Sequence, residues 1–230
     1  MKFNPKLKEG ILLRRYKRFF ADVLTENETL TMHCANTGAM HGCADPGSKA
    51  WYSTSTNPKR KLPHSLEFVE TKQGFRVCVN TARANQLVQE ALLSNEIPEL
   101  AKQSVWSREV PIPGERGRFD FGSENVVMEV KMVSWLRRGM GVFPDAESIR
   151  ATRHLNALKN CAKNGIRAIL FFCVPHSGVD QITIAEDIDP SYGRAVREAV
   201  ADRVEILAYR WSVSPTALAL DKQIPFHVPV

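Results

Sequence analysis

Three residues near the middle of the chain are of types that could do chemistry together. They are Asp120 in RGRFDFGS, and Glu129 and Lys131 in NVVMEVKMV. Strand side chains alternate between faces, so Val126, Met128 and Val130 share one face while Val127, Glu129 and Lys131 share the other. The short segment FGSEN separates Asp120 from the next strand, and a hairpin there would bring its carboxylate toward Glu129, with Lys131 beside both. Two carboxylates and the main-chain carbonyl of Val130 make a hard oxygen site suited to Mg²⁺ or Mn²⁺. A cation there would polarise a phosphodiester and lower the pKa of bound water. The lysine would orient that water or neutralise charge developing on phosphate oxygens. The competing reading is a structural salt-bridge network on a strand edge. Spacing alone does not decide, because Glu70 and Lys72 repeat the same triplet just before a Gln73-Gly74 turn.

The elements that must hold these residues belong to the second part of the chain. TARANQLVQEALLSN places Ala84, Leu87, Val88, Ala91 and Leu92 at helical spacing, with Thr81 as the expected N-cap. Three strands follow: SVWSREVPI, RGRFDFGS and NVVMEVKMV. A long helix within DAESIRATRHLNALKNCAKNG and the apolar strand IRAILFFCV complete an αβββαβ order, which PSYGRAVREAVAD (helix) and VEILAYRW (strand) extend. Glu90 on the first helix and Glu109 on the first strand are either outer ligands or ordinary surface charges.

Residues 1–80 read differently. KEGILLRRYKRFFADVLT, ETLTMHCA, KAWYSTST, HSLEFVET and FRVCVN are β-rich segments separated by turn signals, which suits a small barrel of OB-like or SH3-like type. This region holds 13 Lys+Arg against 7 Asp+Glu, whereas residues 81–230 hold 18 of each, so it carries the whole net charge of +6. An excess so placed marks either a polyanion-binding surface or a solvated basic face. Arg14, Arg15, Lys17 and Arg18 stand beside Tyr16, Phe19 and Phe20, and Lys59, Arg60 and Lys61 add a second cluster. Such cations neutralise phosphates and such rings stack bases, although at least one of Phe19 and Phe20 is expected in the barrel core. His33, Cys34, His41 and Cys43 lack the paired spacing of structural zinc sites and read as a turn-rich loop.

The remaining composition narrows the class. No apolar run approaches the length of a membrane span, and ILL near the start is too short for the core of a signal peptide. Five cysteines without paired spacing fit reduced thiols, so a cytoplasmic protein is expected. The expected partner is DNA, with no membrane, and the oligomeric state stays open between monomer and homodimer.

An Asp followed by Glu-x-Lys on the second and third strands of an αβββαβ unit is similar to the PD-(D/E)xK nuclease superfamily, where a helix glutamate often completes the site; that favours Glu90 over Glu109. The chain as a whole resembles the sugar fermentation stimulation (SfsA) family, close to its enterobacterial members, through LLRRYKRFFADV, HCANTGAM, NPKRK, GRFDF, EVKMV and FPDA with RHL after it. That resemblance implies an N-terminal OB-like domain and a nuclease-like second domain. It further implies DNA binding without strong sequence preference and a role in expression of maltose-metabolism genes; a Mg²⁺-dependent nuclease is the alternative. The chain departs from the family pattern at Ala35, Ala39, Gly117, Met132, Ser134, Ile149, Ala151 and Arg153. The departures at Ile149 and Met132 remove a carboxylate and a hydroxyl that auxiliary metal or phosphate contacts would use.

Overall fold

The computed structural model describes residues 1–103 and 105–228. Its N-terminal part is built from β1 (Lys8–Tyr16), β2 (Phe20–Leu24), β3 (Thr29–His33), β4 (Lys49–Thr54), β5 (His64–Glu70) and β6 (Arg76–Cys78). The run expected as one long strand breaks into β1 and β2. Lys17 and Arg18 both adopt positive φ, 48° and 63°, giving the left-handed turn whose twist matches a hairpin. The strand order is β3-β2-β1-β4-β5-β6, and a β3–β5 pairing closes the first five into a barrel. That closure gives the OB topology and removes the SH3-like alternative. Leu12, Val23, Met32, Leu66 and Val77 fill the interior. Neither Phe19 nor Phe20 joins them, contrary to the expectation for at least one. Phe19 sits at the hairpin turn, 48% exposed, and Phe20 stacks on Tyr16 with ring centroids 5.5 Å apart.

The second part runs α1 (Ala82–Leu93), β7 (Ser107–Pro111), β8 (Arg118–Ser123), β9 (Val126–Met132), β10 (Trp135–Arg137), β11 (Met140–Phe143), α2 (Ile149–Lys163), β12 (Arg167–Val174), β13 (Ile182–Ile184), α3 (Pro190–Ala201), β14 (Glu205–Ser214), β15 (Ala217–Gln223) and β16 (Phe226–His227). The main sheet has the order β15-β14-β12-β9-β8-β7, with β9, β12 and β14 parallel. A small second sheet, β10-β11-β13-β16, was not legible in the sequence. Val126, Met128 and Val130 of β9 pack in the core that contains α1. The other face carries α2 and α3, whose Leu155, Leu158, Tyr192 and Val196 form a second core with Phe172 of β12. Ser148 caps α2 by accepting from Ala151 N, and Asp189 caps α3 by accepting from Tyr192 N.

The boundary expected at residue 80 falls between β6 and α1. Among the described residues the two sheets share no strand, but the backbone crosses between the parts: Lys2 bridges Ala217 of β15 and Val77 of β6 bridges His176. Side chains cross as well: Leu7, Trp51 and Phe68 lie in the same apolar cluster as Leu87, Val88 and Met128. Polar clamps add to this. Thr81 stands at the N-cap of α1, but its hydroxyl donates to Ala35 O at 2.7 Å instead of capping, and Asn80 Oδ1 accepts from Ala82 N at 3.2 Å. Met40 N donates to Asp145 Oδ2 at 2.9 Å, so the loop after β3 is tied to both halves.

Candidate metal centre

The β8–β9 ladder ends at the Phe121–Met128 pair, one residue short of Asp120. From there the strands part, and a side chain takes over the lost backbone bond: Asp120 Oδ2 accepts from Val130 N at 2.7 Å. Asp120 Oδ1 accepts from Asn85 Nδ2 of α1, also at 2.7 Å. Where the two strands diverge, Asp120 and Glu129 line one cleft.

Glu129 is almost wholly buried, with 5% of its side chain exposed. Its Oε1 accepts from Lys131 Nζ at 2.5 Å and pairs with His154 Nδ1 at 2.6 Å. Its Oε2 is buried with no partner among the described residues. An ionised oxygen without a donor is costly in a protein interior, and this one is free to accept from a ligand. Burial pushes Glu129's carboxyl upward, but His154 and Lys131 outweigh it and hold the group below its ordinary range. Asp120 goes the other way: burial first, then the charge of Glu129, raise its pKa against the pull of the Val130 N–H and Asn85. The two carboxyls are thus shifted in opposite directions, Glu129 toward the ionised form and Asp120 toward the protonated one.

The ion-pair reading of the sequence is present in part, as the Lys131–Glu129 contact. It leaves Glu129 Oε2 and the remaining lone pairs of Asp120 available, so the residues fit a hard divalent cation. Among the described residues no group of three or more His, Cys, Asp and Glu forms a metal-binding cluster, so the protein would supply two carboxylates and at most a carbonyl. Such a sparse set suits a cation that keeps several waters and shares its shell with a substrate phosphate.

Glu90 is not part of this site. It lies five residues beyond Asn85 on α1, about 140° around the helix, and its carboxylate meets the N-terminal ammonium at 2.7 Å beside a different cavity. Glu109, the other outer-ligand candidate, borders an adjoining groove between the β7–β8 hairpin and α2 and does not line the cleft that holds Asp120 and Glu129. The helix residue that does reach the site is Asn85. His154 was missed because it stands in the apolar stripe of α2 between Ala151 and Leu158, where a histidine reads as a core residue; the signal available was a buried polar type on that stripe.

The carboxylates open into a cleft of about 690 Å³ between the two halves of the molecule. Lys131, Arg108 and Arg150 line it from the second part, and Arg18, Asn36 and Thr37 from the barrel. The loop HCANTGAMHGC thus forms a wall of the cleft, with Cys34 and Cys43 buried beneath it. Gly38 is required there, because a Cβ would lie 2.1 Å from Asp145 Oδ1. Asp145 and Glu147 also line the cleft, whereas Ile149 is 91% exposed outside it.

The basic residues of the barrel have divided roles. Strand pairing puts Phe20 opposite His33, His33 beside Ser65 and Thr54 opposite His64, so the β1–β2 turn and the β4–β5 loop lie at the same end of the barrel as the cleft wall. Lys17, Arg18, Lys59, Arg60 and Lys61 are exposed at that end. Arg14 pairs with Asp22 at 2.7 Å and lies over the Tyr16 ring, 4.9 Å from its centroid. Arg15 is structural: its Nη2 donates to Asn36 O at 2.8 Å and to Gly38 O at 2.7 Å, which fixes the cleft wall.

Comparison with known proteins places these features among relatives. Residues 82–217 match the family described as the sugar fermentation stimulation protein RE domain, and residues 13–79 match its N-terminal OB domain. Sugar fermentation stimulation protein homologs are similar along nearly the whole chain. The one from Pseudomonas paraeruginosa is 46% identical over 98% of this chain and 99% of its own. Those from Ectopseudomonas mendocina and Pseudomonas syringae pv. tomato are 47% and 44% identical, covering 97% and 100% of this chain and 98% and 100% of their own. Among solved structures, Pyrococcus furiosus SfsA in complex with Ca²⁺ superposes with a TM-score of 0.89 at 22% identity, covering 99% of this chain and 98% of that one.

Proposed function

The chain belongs to the sugar fermentation stimulation protein family, and from that premise we propose that it binds DNA without strong sequence preference and hydrolyses phosphodiester bonds at a divalent-cation centre on Asp120 and Glu129. The observation that carries this reading is the unpartnered, buried Oε2 of Glu129, beside an aspartate whose ionisation is held back, at the floor of a cleft edged by arginines. That Pyrococcus furiosus SfsA, which shares this fold, is in complex with Ca²⁺ supports the choice of a divalent cation.

When bound, such a cation polarises the phosphodiester and makes its water a better nucleophile. The chain's own residues do the rest. His154 and Lys131 hold Glu129 ionised through Oε1, which leaves Oε2 as the free donor. Asn85 and the Val130 N–H fix the orientation of Asp120. Lys131, which lines the cleft, would offset charge developing on a phosphate bound there. Arg18 and the cations at the same end of the barrel hold the strand by its backbone, which carries no sequence information and so gives weak sequence preference.

A second reading, DNA binding alone in the service of sugar-metabolism gene expression, is favoured by the barrel's charge excess, which works without the carboxylates. Purified protein incubated with labelled single- and double-stranded DNA in Mg²⁺, Mn²⁺ or EDTA separates the two. Cleavage with a cation and none in EDTA is the expected result. Salt-sensitive binding with no cleavage under any cation would leave the second reading.

A further inference from the structure

Behind the centre lies a groove of about 470 Å³ formed by the β7–β8 hairpin and the first turns of α2. Arg116, Arg118, Arg150 and Arg153 all line it. Of the fourteen arginines outside the groove, six (Arg14, Arg83, Arg137, Arg167, Arg197 and Arg210) pair with a carboxylate among the described residues. Among the described residues the four groove arginines pair with none, although Glu109 lies on the rim and gives its main-chain carbonyl to Arg118 at 2.6 Å. Four unneutralised guanidinium groups converging from two elements are unfavourable for the free protein and suited to an anion with several charges.

The groove is continuous with the centre by two residues. Arg150 lines both the groove and the cleft. His154 borders the groove and joins Glu129 through Nδ1, with its Nε2 4.0 Å from where a Cβ on Gly117 would stand. Gly117 adopts φ +132°, and the same Cβ would come 3.7 Å from Arg153 Nη2, so a glycine here lowers the wall between hairpin and helix.

We propose that this arginine groove is a second phosphate-binding tract, which holds the nucleic-acid strand beyond the scissile phosphate while the barrel holds it on the other side. The inference rests on the DNA-binding reading and adds the path of the strand: from Arg18, past Asp120 and Glu129, over Arg150, to Arg116 and Arg153. The bound strand is thereby gripped on both sides of the reacting bond, which positions that bond without reading bases.

The test is fluorescence anisotropy of a labelled oligonucleotide with the full chain in EDTA, so that nothing is cut, over a range of salt. Arg116→Gln/Arg153→Gln is compared with Arg18→Gln, and all three sites are exposed. Removing two phosphate contacts should reduce the slope of log K against log salt by about 1.4–1.8, taking about 0.7–0.9 per contact, and Arg116→Lys/Arg153→Lys should restore it. Should the double variant melt early, Arg116→Gln alone is read, with a slope change of about 0.7–0.9. Native-like slope and affinity in the groove variant overturn the second tract and leave the barrel's role standing if Arg18→Gln is weakened. Absence of DNA binding by the native chain overturns the proposed function and this path with it.

Discussion

Lys131→Met is the most informative single substitution, because the two readings of the Lys131–Glu129 contact predict different responses to metal. Methionine keeps the aliphatic stem of the lysine and removes only the ammonium. In the native chain that ammonium is one of two donors to Glu129 Oε1, at 2.5 Å, with side-chain exposures of 16% and 5%. Breaking a buried pair by removing one partner costs about 3–5 kcal/mol. The partial exposure of Lys131 and the surviving His154 contact reduce the expected loss to about 2–4 kcal/mol. For a chain of this size each kcal/mol lowers Tm by about 2–4 °C, so the variant should melt about 5–15 °C early in EDTA. A divalent cation replaces the lost positive charge beside two carboxylates. At a hundredfold excess over Kd it contributes about 2.7 kcal/mol, and the Kd of the variant should be at least as tight as that of the native chain. The assay is thermal melting of both proteins in EDTA and in Mn²⁺. The account requires a larger Mn²⁺-dependent rise in the variant than in the native protein. An unchanged Tm in EDTA, or early melting that Mn²⁺ does not relieve in either protein, would refute it and leave a purely structural ion pair.

Three further outcomes follow from the same geometry. Asp120, raised above its ordinary 3.8, binds its proton more tightly folded than unfolded, so its contribution to stability is present at acid pH and is lost as pH rises through the folded pKa. Carboxyl NMR should show it titrating above 3.8 in EDTA and moving down with Mg²⁺, whereas Glu129, already low, should contribute stability above 4.5 that disappears as pH falls. Gly38→Ala forces a Cβ against the Asp145 carboxylate and should cost about 1–3 kcal/mol in melting experiments, with weaker DNA binding as the cleft wall shifts. Arg15→Ala should lower both stability and DNA affinity because it frees the Asn36 and Gly38 carbonyls, while Arg18→Ala should lower affinity at native Tm; equal melting losses would contradict that division.

Much of this arrangement was legible because it depends on period and order. The two-residue alternation of β9 puts Glu129 and Lys131 on one face, and the β-rich segments of the first eighty residues form the closed barrel. What was hidden depends on exact angles and on contacts between distant segments. Whether Glu90 or Asn85 reaches Asp120 is decided by about 140° of helix rotation, which the sequence constrains only through the apolar face. His154 was disguised by its apolar neighbours on α2, and its role exists only because β9 lies beneath that helix. The turn at Lys17 and Arg18 contains none of the glycine or asparagine that ordinarily marks a hairpin, so the strand break left no local sign. The split between β8 and β9 has the same character: a side chain replaces a main-chain bond, and no residue type announces it.

The claim on which the rest depends is that Asp120 and Glu129 share a divalent cation. Crystals of the native protein soaked in Mn²⁺ and measured at the manganese edge test it most directly. The account predicts one strong anomalous peak in contact with carboxylate oxygens of both residues, and its loss in Glu129→Gln. A peak bound elsewhere with this pair empty, or an unaltered Lys131–Glu129 contact with no peak beside it, would contradict the metal centre.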